Sequence, residues 1–262
     1  MSSSWTGAPR GPQRLSKSEI ERRLLDTAKE QIQQTGLTVS LEHLRLDELL
    51  ELADVPKTSF YRVWTSKDRF FARLLEELVQ PEGGVGAAYD PETIRVSGLV
   101  IRQHPELLAT AEGRERLMRE MVRVGAHRNF TALLGSVGWR TYMAILATLP
   151  GISDEGARER IKTALQRAEN EFLDRMADFY RELLPVLHYR LRPGVTTRHL
   201  AAAGAAVVEG LVQRNVVSPE LVGGMLPGPA IDGGTTDWDL AALGFLGVIQ
   251  ALAEPDPDYD GA

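Results

Sequence analysis

The sequence predicts an all-α protein, an N-terminal helix-turn-helix unit followed by a larger helical bundle. Apolar residues recur at spacings of three and four along most of the 262 residues, which is the period of a helix with one buried face. No run of β-alternation between hairpin turns competes with that period. Ser, Thr and Asp stand before the periodic stretches and Gly or Pro after them, as helix starts and stops require.

The first helix is expected from about Ser18, with Ile20, Leu24, Ala28 and Ile32 four apart on one face, stopping at Gly36. A short second helix spans 46–53. Val55-Pro56 then interrupts the chain, because proline disfavours helical geometry in the residue before it. A third helix covers 57–63. Thr65-Ser66 supplies hydroxyl capping for a fourth, with Asp68 in its first turn and Phe70, Phe71, Leu74, Leu75 and Leu78 on its apolar side. The Gly-rich stretch 81–88 marks a domain boundary. Helical segments are then expected at 91–104, 105–111, 113–124 and 127–149. Ser153 is expected to cap a helix of about thirty residues, whose Ile161, Leu165, Ala168, Phe172, Met176, Phe179 and Leu183 keep the 3/4 spacing. Thr196/Thr197 opens a helix to about Val217, residues 218–237 read as a Gly/Pro-rich loop, and a last helix covers 238–253. The expected organisation is a disordered arm at 1–17, a helix-turn-helix domain at 18–80, a bundle at 90–254 and an acidic tail at 255–262. No internal repeat is visible.

Composition excludes several classes. The chain has no cysteine, hence no disulfide and no thiolate zinc site, which fits a reducing, cytoplasmic setting. The stretch 240–249 is the longest uncharged apolar run and is shorter than the roughly 18 residues that span a bilayer, so no membrane partner is expected. The five histidines show no metal-ligand spacing, and neither a Gly-x-Ser-x-Gly elbow nor a phosphate-binding glycine loop is present. Neither a cofactor, a metal nor an enzymatic activity is expected.

The net charge of −6 is unevenly spread. Residues 1–80 hold 12 of the 30 basic and 12 of the 36 acidic side chains, so the whole negative excess lies beyond them. Within 56–73, Lys57, Arg62, Lys67, Arg69 and Arg73 face only Asp68, and Arg10, Arg14, Lys17, Arg22 and Arg23 form a second basic stretch. Such local concentrations are where phosphates can be met. Along 57–67, Phe60 and Trp64 are four apart and can anchor a helix inward, leaving Lys57, Thr58, Ser59, Tyr61 and Arg62 on other faces. Hydroxyls and cations are what phosphate and base-edge recognition need.

Arg23-Leu24-Leu25-Asp26-Thr27-Ala28 through Gly36, and then 55–71 with its Ser59-Phe60-Tyr61, Trp64, Ser66-Lys67-Asp68 order, resemble the DNA-binding domain of the TetR family of transcriptional regulators. The resemblance implies that Lys57, Ser59 and Arg62 meet the groove, that Tyr61 and Lys67 meet phosphates, and that Phe60 and Trp64 are core; Thr58 completes the set of DNA-binding candidates. Asp54 stands where the family has a turn glycine, and the supporting helix is acidic (Asp47, Glu48, Glu51) where the family is often basic or neutral. More weakly, His104-Pro105-Glu106-Leu107 and 201–214 look like C-terminal elements of that family. It implies an effector-binding and dimerisation bundle, with Phe130, Trp139, Tyr142, Met143, Phe172 and Met176 as candidate pocket walls. Ala201, Ala205, Val208, Leu211, Val212, Leu243 and Leu246 are the candidate dimer interface. The implied partners are an operator duplex of palindromic sequence, a second copy of the chain and a small-molecule effector that relieves repression. The alternative is a protein-binding co-regulator of the same fold with weak DNA affinity.

Overall fold

The computed structural model describes residues 15–37, 44–79 and 91–258. The expected arm therefore lies outside the described residues up to residue 14, as do the Gly-rich break at 81–88 and residues 259–262 of the acidic tail. The described chain is helical nearly throughout, in the order α1 (Lys17–Thr35), α2 (Leu46–Leu52), α3 (Lys57–Val63), α4 (Lys67–Leu78), α5 (Pro91–Gln103), α6 (Ala111–Gly135), α7 (Val137–Thr148), α8 (Glu155–Val186), α9 (Thr197–Val217), α10 (Pro219–Val222) and α11 (Leu240–Leu252). One-turn 3-10 segments precede α6 and α8.

The helix ends follow from their caps. Ser16 accepts from the Glu19 amide at the start of α1, and Gly36, at φ 80°, returns its N–H to Ile32 at the end; only a residue without Cβ takes that backbone at little cost. Ser66 caps α4 by accepting from the Arg69 amide at 3.3 Å. Ser136 closes α6 and caps α7 at once, its Oγ accepting from the Trp139 amide. Asp154 caps α8, in place of the expected Ser153. Thr196 opens α9 with a reciprocal pair of bonds to His199, the capping-box arrangement.

Three sequence expectations are corrected. The break expected between 124 and 127 does not occur, and α6 runs unbroken through it. Gly125 belongs to that helix because α5 crosses there: a Cβ would lie 2.5 Å from Ser97 Oγ. Residues 218–237 are no plain loop. They form α10 and a hairpin of β2 (Leu226–Pro229) and β3 (Thr235–Trp238), so the last helix starts at Leu240. Trp238 drives this, being fully buried with its indole N–H donated to the Pro229 carbonyl at 3.1 Å. A second short pair, β1 (Tyr189–Leu191) with β4 (Ala253–Pro255), closes the chain's end against α8.

Packing joins the two regions that composition separates. Ile20, Leu24, Leu49, Phe60, Phe70 and Leu74 lie in one hydrophobic cluster with Tyr142 and Ile145 of α7 and Ile161 and Leu165 of α8. Glu76 of α4, almost fully buried, accepts from Arg160 of α8 at 2.8–2.9 Å. A second cluster is built by α6, the C-terminal half of α8, α9 and α11 around Leu117, Tyr180, Leu200 and Trp238. By length and composition α9 alone among the described helices is apolar enough to cross a membrane; it packs against α6, α8 and α11 and carries Glu209 and Arg214.

Candidate functional site

The α2–turn–α3 unit is built from the inside out. Asp54 takes φ 52° in the turn, a left-handed conformation that Asp tolerates better than most residues. The Val55 amide reaches back to the Leu50 carbonyl at 2.9 Å. Pro56 precedes α3 with φ −60° and receives the Ser59 and Phe60 amides on its carbonyl. Phe60 and Trp64 point inward and meet Phe70 of α4 edge to face at centroid distances of 5.7 and 5.0 Å. That aromatic triangle fixes α3 on α4, and the opposite side of α3 faces outward.

On that outward side Lys57, Thr58 and Tyr61 are exposed, as is Lys67 at the start of α4, while Ser59 and Arg62 are half-buried. The ammonium of Lys67 lies 5.2 Å from the centre of the Phe71 ring, a cation–π contact that leaves it at the surface. Two of the candidate cations are engaged within the chain. Lys57 Nζ is 2.9 Å from Asp47 Oδ1 of α2. The hydrogen bond and charge between them hold the Asp47 carboxyl below its usual range and push the Lys57 ammonium up, so both stay ionised. Arg62 donates from Nη2 to the Leu15 carbonyl at 2.9 Å. Asp47 is the residue that sequence reasoning did not place in the site. Its signal was the acidic supporting helix, ten residues before Lys57 and one turn of chain away in space.

The candidate pocket residues separate. Phe172 and Met176 line a partly open cavity between α5, α6, α8, α9 and α11, together with Met118, Met121, Asn129 and Tyr180. The space open to a water-sized sphere there is ≈ 70 Å³. Phe130 and Trp139 instead pack beside it with Phe172, Val208, Val212 and Ala241, with Met143 at the margin. Tyr142 belongs to the N-terminal cluster, its hydroxyl donating to Glu169 Oε2 at 3.3 Å. Those four residues are off the described cavity wall: Trp139, Tyr142 and Met143 are on α7, and Phe130, on α6, packs with Trp139 instead.

Between α7, α8 and α9 the structure assembles a polar cluster that periodicity could not show. Glu209 on α9 and Glu169 on α8 are both half-buried. Burial first, then the Glu169 charge, push the Glu209 carboxyl up to about 7, and the neighbouring Trp139 indole draws it partly back. Burial, with Glu169 second, pushes the Tyr142 hydroxyl well above the usual phenol range.

The candidate interface residues also separate. Ala201, Val208 and Val212 are buried inside the protomer, and Ala201, Ala205 and Val208 line the cavity. Within the protomer α9 packs against α8 and α11. Leu211, Leu243 and Leu246 are half-buried. The exposed side of α9 carries Ala202, Ala206, Gly210, Gln213 and Val217, and Gly247 is exposed on α11. Among the described residues no group of three His, Cys, Asp or Glu is placed to hold a metal ion.

No family model matches the chain, and no curated protein matches it. Among solved structures, the reduced form of Escherichia coli NemR is similar with 15% identity and a TM-score of 0.43, covering 89% of this chain and 98% of that one. SCO4454, a TetR-family transcriptional regulator from Streptomyces coelicolor, is similar with 18% identity and a TM-score of 0.43, covering 90% of this chain and 96% of that one. Both are distant likenesses between helical chains, and the function of this chain has to be argued from its own residues.

Proposed function

We propose that this chain is a transcriptional regulator of the TetR kind, which binds a palindromic operator as a homodimer and releases it when a small effector enters the C-terminal unit. The observation that carries the reading is the α2–turn–α3 geometry. Its aromatic anchors lock α3 from behind and leave Lys57, Thr58, Tyr61 and Lys67 together on the open side, the disposition a recognition helix needs in a major groove. Residues 18–80 act as the DNA-binding part and 90–254 as the effector and dimerisation part. Two-fold pairing presents two α3 helices to successive major grooves. The exposed side of α9 (Ala202, Ala206, Gly210, Val217) with the margin of α11 (Leu243, Leu246, Gly247) is the surface assigned to that pairing.

α8 supplies the mechanical link. Its Phe172 and Met176 line the cavity, its Ile161 and Leu165 sit in the N-terminal cluster, and its Arg160 holds Glu76 of α4. An effector that binds one position of α8 better than another shifts α4 and the spacing of the recognition helices, by no more than its difference in affinity for the two states.

One observation favours a second reading. The surface of α2 exposes Asp47, Glu48, Glu51 and, 63% exposed, Leu52, an acidic edge with an apolar centre suited to a basic protein partner. The two readings are separated by gel retardation with DNA fragments of the source genome. The regulator reading expects Tyr61→Phe and Lys67→Ala each to weaken retention while size-exclusion chromatography shows the dimer intact. Unchanged retention in both variants contradicts this assignment of the recognition surface.

A further inference from the structure

The cavity between α5, α6, α8, α9 and α11 carries a more specific reading of the effector. Among the described residues none of its lining side chains is charged, and its polar lining side chains are Thr93, Ser97, Asn129 and Tyr180. Ser97 is already satisfied, its Oγ donating to the Thr93 carbonyl at 2.9 Å. Asn129 is not: its Oδ1 is buried with no hydrogen-bond partner. A buried amide oxygen without a donor is costly enough that few survive in folded proteins. Here its residue lines an apolar cavity between α6, α8 and α9.

The chemistry of the wall limits the occupant. A charged group would be stripped of water among apolar side chains with no counter-ion, so the occupant is neutral. The open space of ≈ 70 Å³ is well below the roughly 150 Å³ of a dry engineered cavity that takes up benzene. The wall has to give for a molecule of even one ring. Met118, Met121 and Met176, three of the chain's six methionines, are all on it, and unbranched thioether side chains are the ones that repack most readily.

We propose that the cavity binds a small neutral molecule with an apolar body of about one ring and a single hydroxyl that donates to Asn129 Oδ1. The proposal names the effector class of the regulator reading, and it rests on that reading only for the consequence at DNA. Binding itself is independent of it.

The test is calorimetric titration of the full-length protein, without DNA, with p-cresol, toluene and 4-methylbenzoate as matched probes. In a merely greasy cavity toluene binds better than p-cresol, because the hydroxyl loses its water and gains nothing. The proposal expects p-cresol to bind at least about tenfold more tightly than toluene, with no binding of the carboxylate. Asn129→Leu and Asn129→Ala are expected to abolish or reverse that preference; the alanine variant adds no bulk, and circular dichroism checks that each is folded. Equal or weaker binding of p-cresol in the native protein overturns the proposal. So does a preference that survives in a folded Asn129 variant, the result expected if a resident water satisfies the amide, or no binding of either neutral probe. A protein that binds p-cresol as expected but retains no DNA keeps this site and removes the regulator reading instead.

Discussion

Arg62 Nη2 donates to the Leu15 carbonyl across 2.9 Å, tying the last turn of α3 to the residue ahead of the α1 cap, while Arg62 Nε is buried without a partner. The guanidinium is thus part of the packing between the first and third helices before it is anything else. Arg62→Ala is expected to lower unfolding stability by about 1–2 kcal/mol, the range for losing one hydrogen bond to a charged group. Urea unfolding monitored by helicity measures it. An unaltered midpoint shows that the bond contributes nothing, and frees Arg62 for the groove contact that the sequence resemblance implies for it.

The Asp47–Lys57 pair makes a different prediction. A phosphate approaching Lys57 has to compete with a carboxylate already 2.9 Å away. Both groups are well exposed, so the competition is weak and salt-sensitive. Asp47→Asn is expected to tighten DNA binding about threefold at low salt, with the gain fading as salt rises. Fluorescence anisotropy with a labelled fragment at two salt concentrations reads this directly. A loss of affinity in Asp47→Asn shows instead that Asp47 positions Lys57 for the duplex.

Glu209 sets a pH dependence. Its folded pKa is raised from 4.5 to about 7, by burial first and by Glu169 second. The folded protein therefore keeps this proton in an interval where the unfolded chain has released it. Stability from this group is full below the unfolded value and is lost as pH rises from about 4.5 to about 7. With partial exposure allowed for, the loss is on the order of 2 kcal/mol. Glu209→Gln is expected to flatten that part of the profile and to be the more stable protein at about pH 8. Urea midpoints of the two proteins at about pH 5 and about pH 8 decide it; parallel profiles would contradict the assignment.

Much of this architecture is legible in the sequence because it depends on period and punctuation. The spacing of Phe60 and Trp64, the stop at Gly36 and the turn at Asp54 are local, and local rules place them. What escapes is set by distant partners. Gly125 reads as a helix breaker, yet it sits in mid-helix where Ser97 of α5 approaches. Gly204 likewise marks the place where Phe245 of α11 closes on α9, since a Cβ there would lie 2.4 Å from its ring. Trp238 looks like the first apolar residue of a helix, but the Pro229 carbonyl across the hairpin claims its indole. The same limit governs the site. The basic residues of α3 and α4 are visible as charges, whereas their engagement by Asp47 and Leu15 depends on how three helices meet. The cavity wall could not be separated from the rest of the core, because Phe130 and Phe172 share a period and differ only in which neighbour they face.

The claim that α3 reads DNA is tested most directly by incubating the purified protein with sheared DNA of its source genome at moderate salt and sequencing what it retains. The account predicts enrichment of one palindromic sequence whose half-sites lie about one helical turn or a multiple of it apart, with the enrichment lost in Lys67→Ala. Protein shown to be folded and dimeric that enriches no sequence would contradict the account and turn attention to the acidic edge of α2.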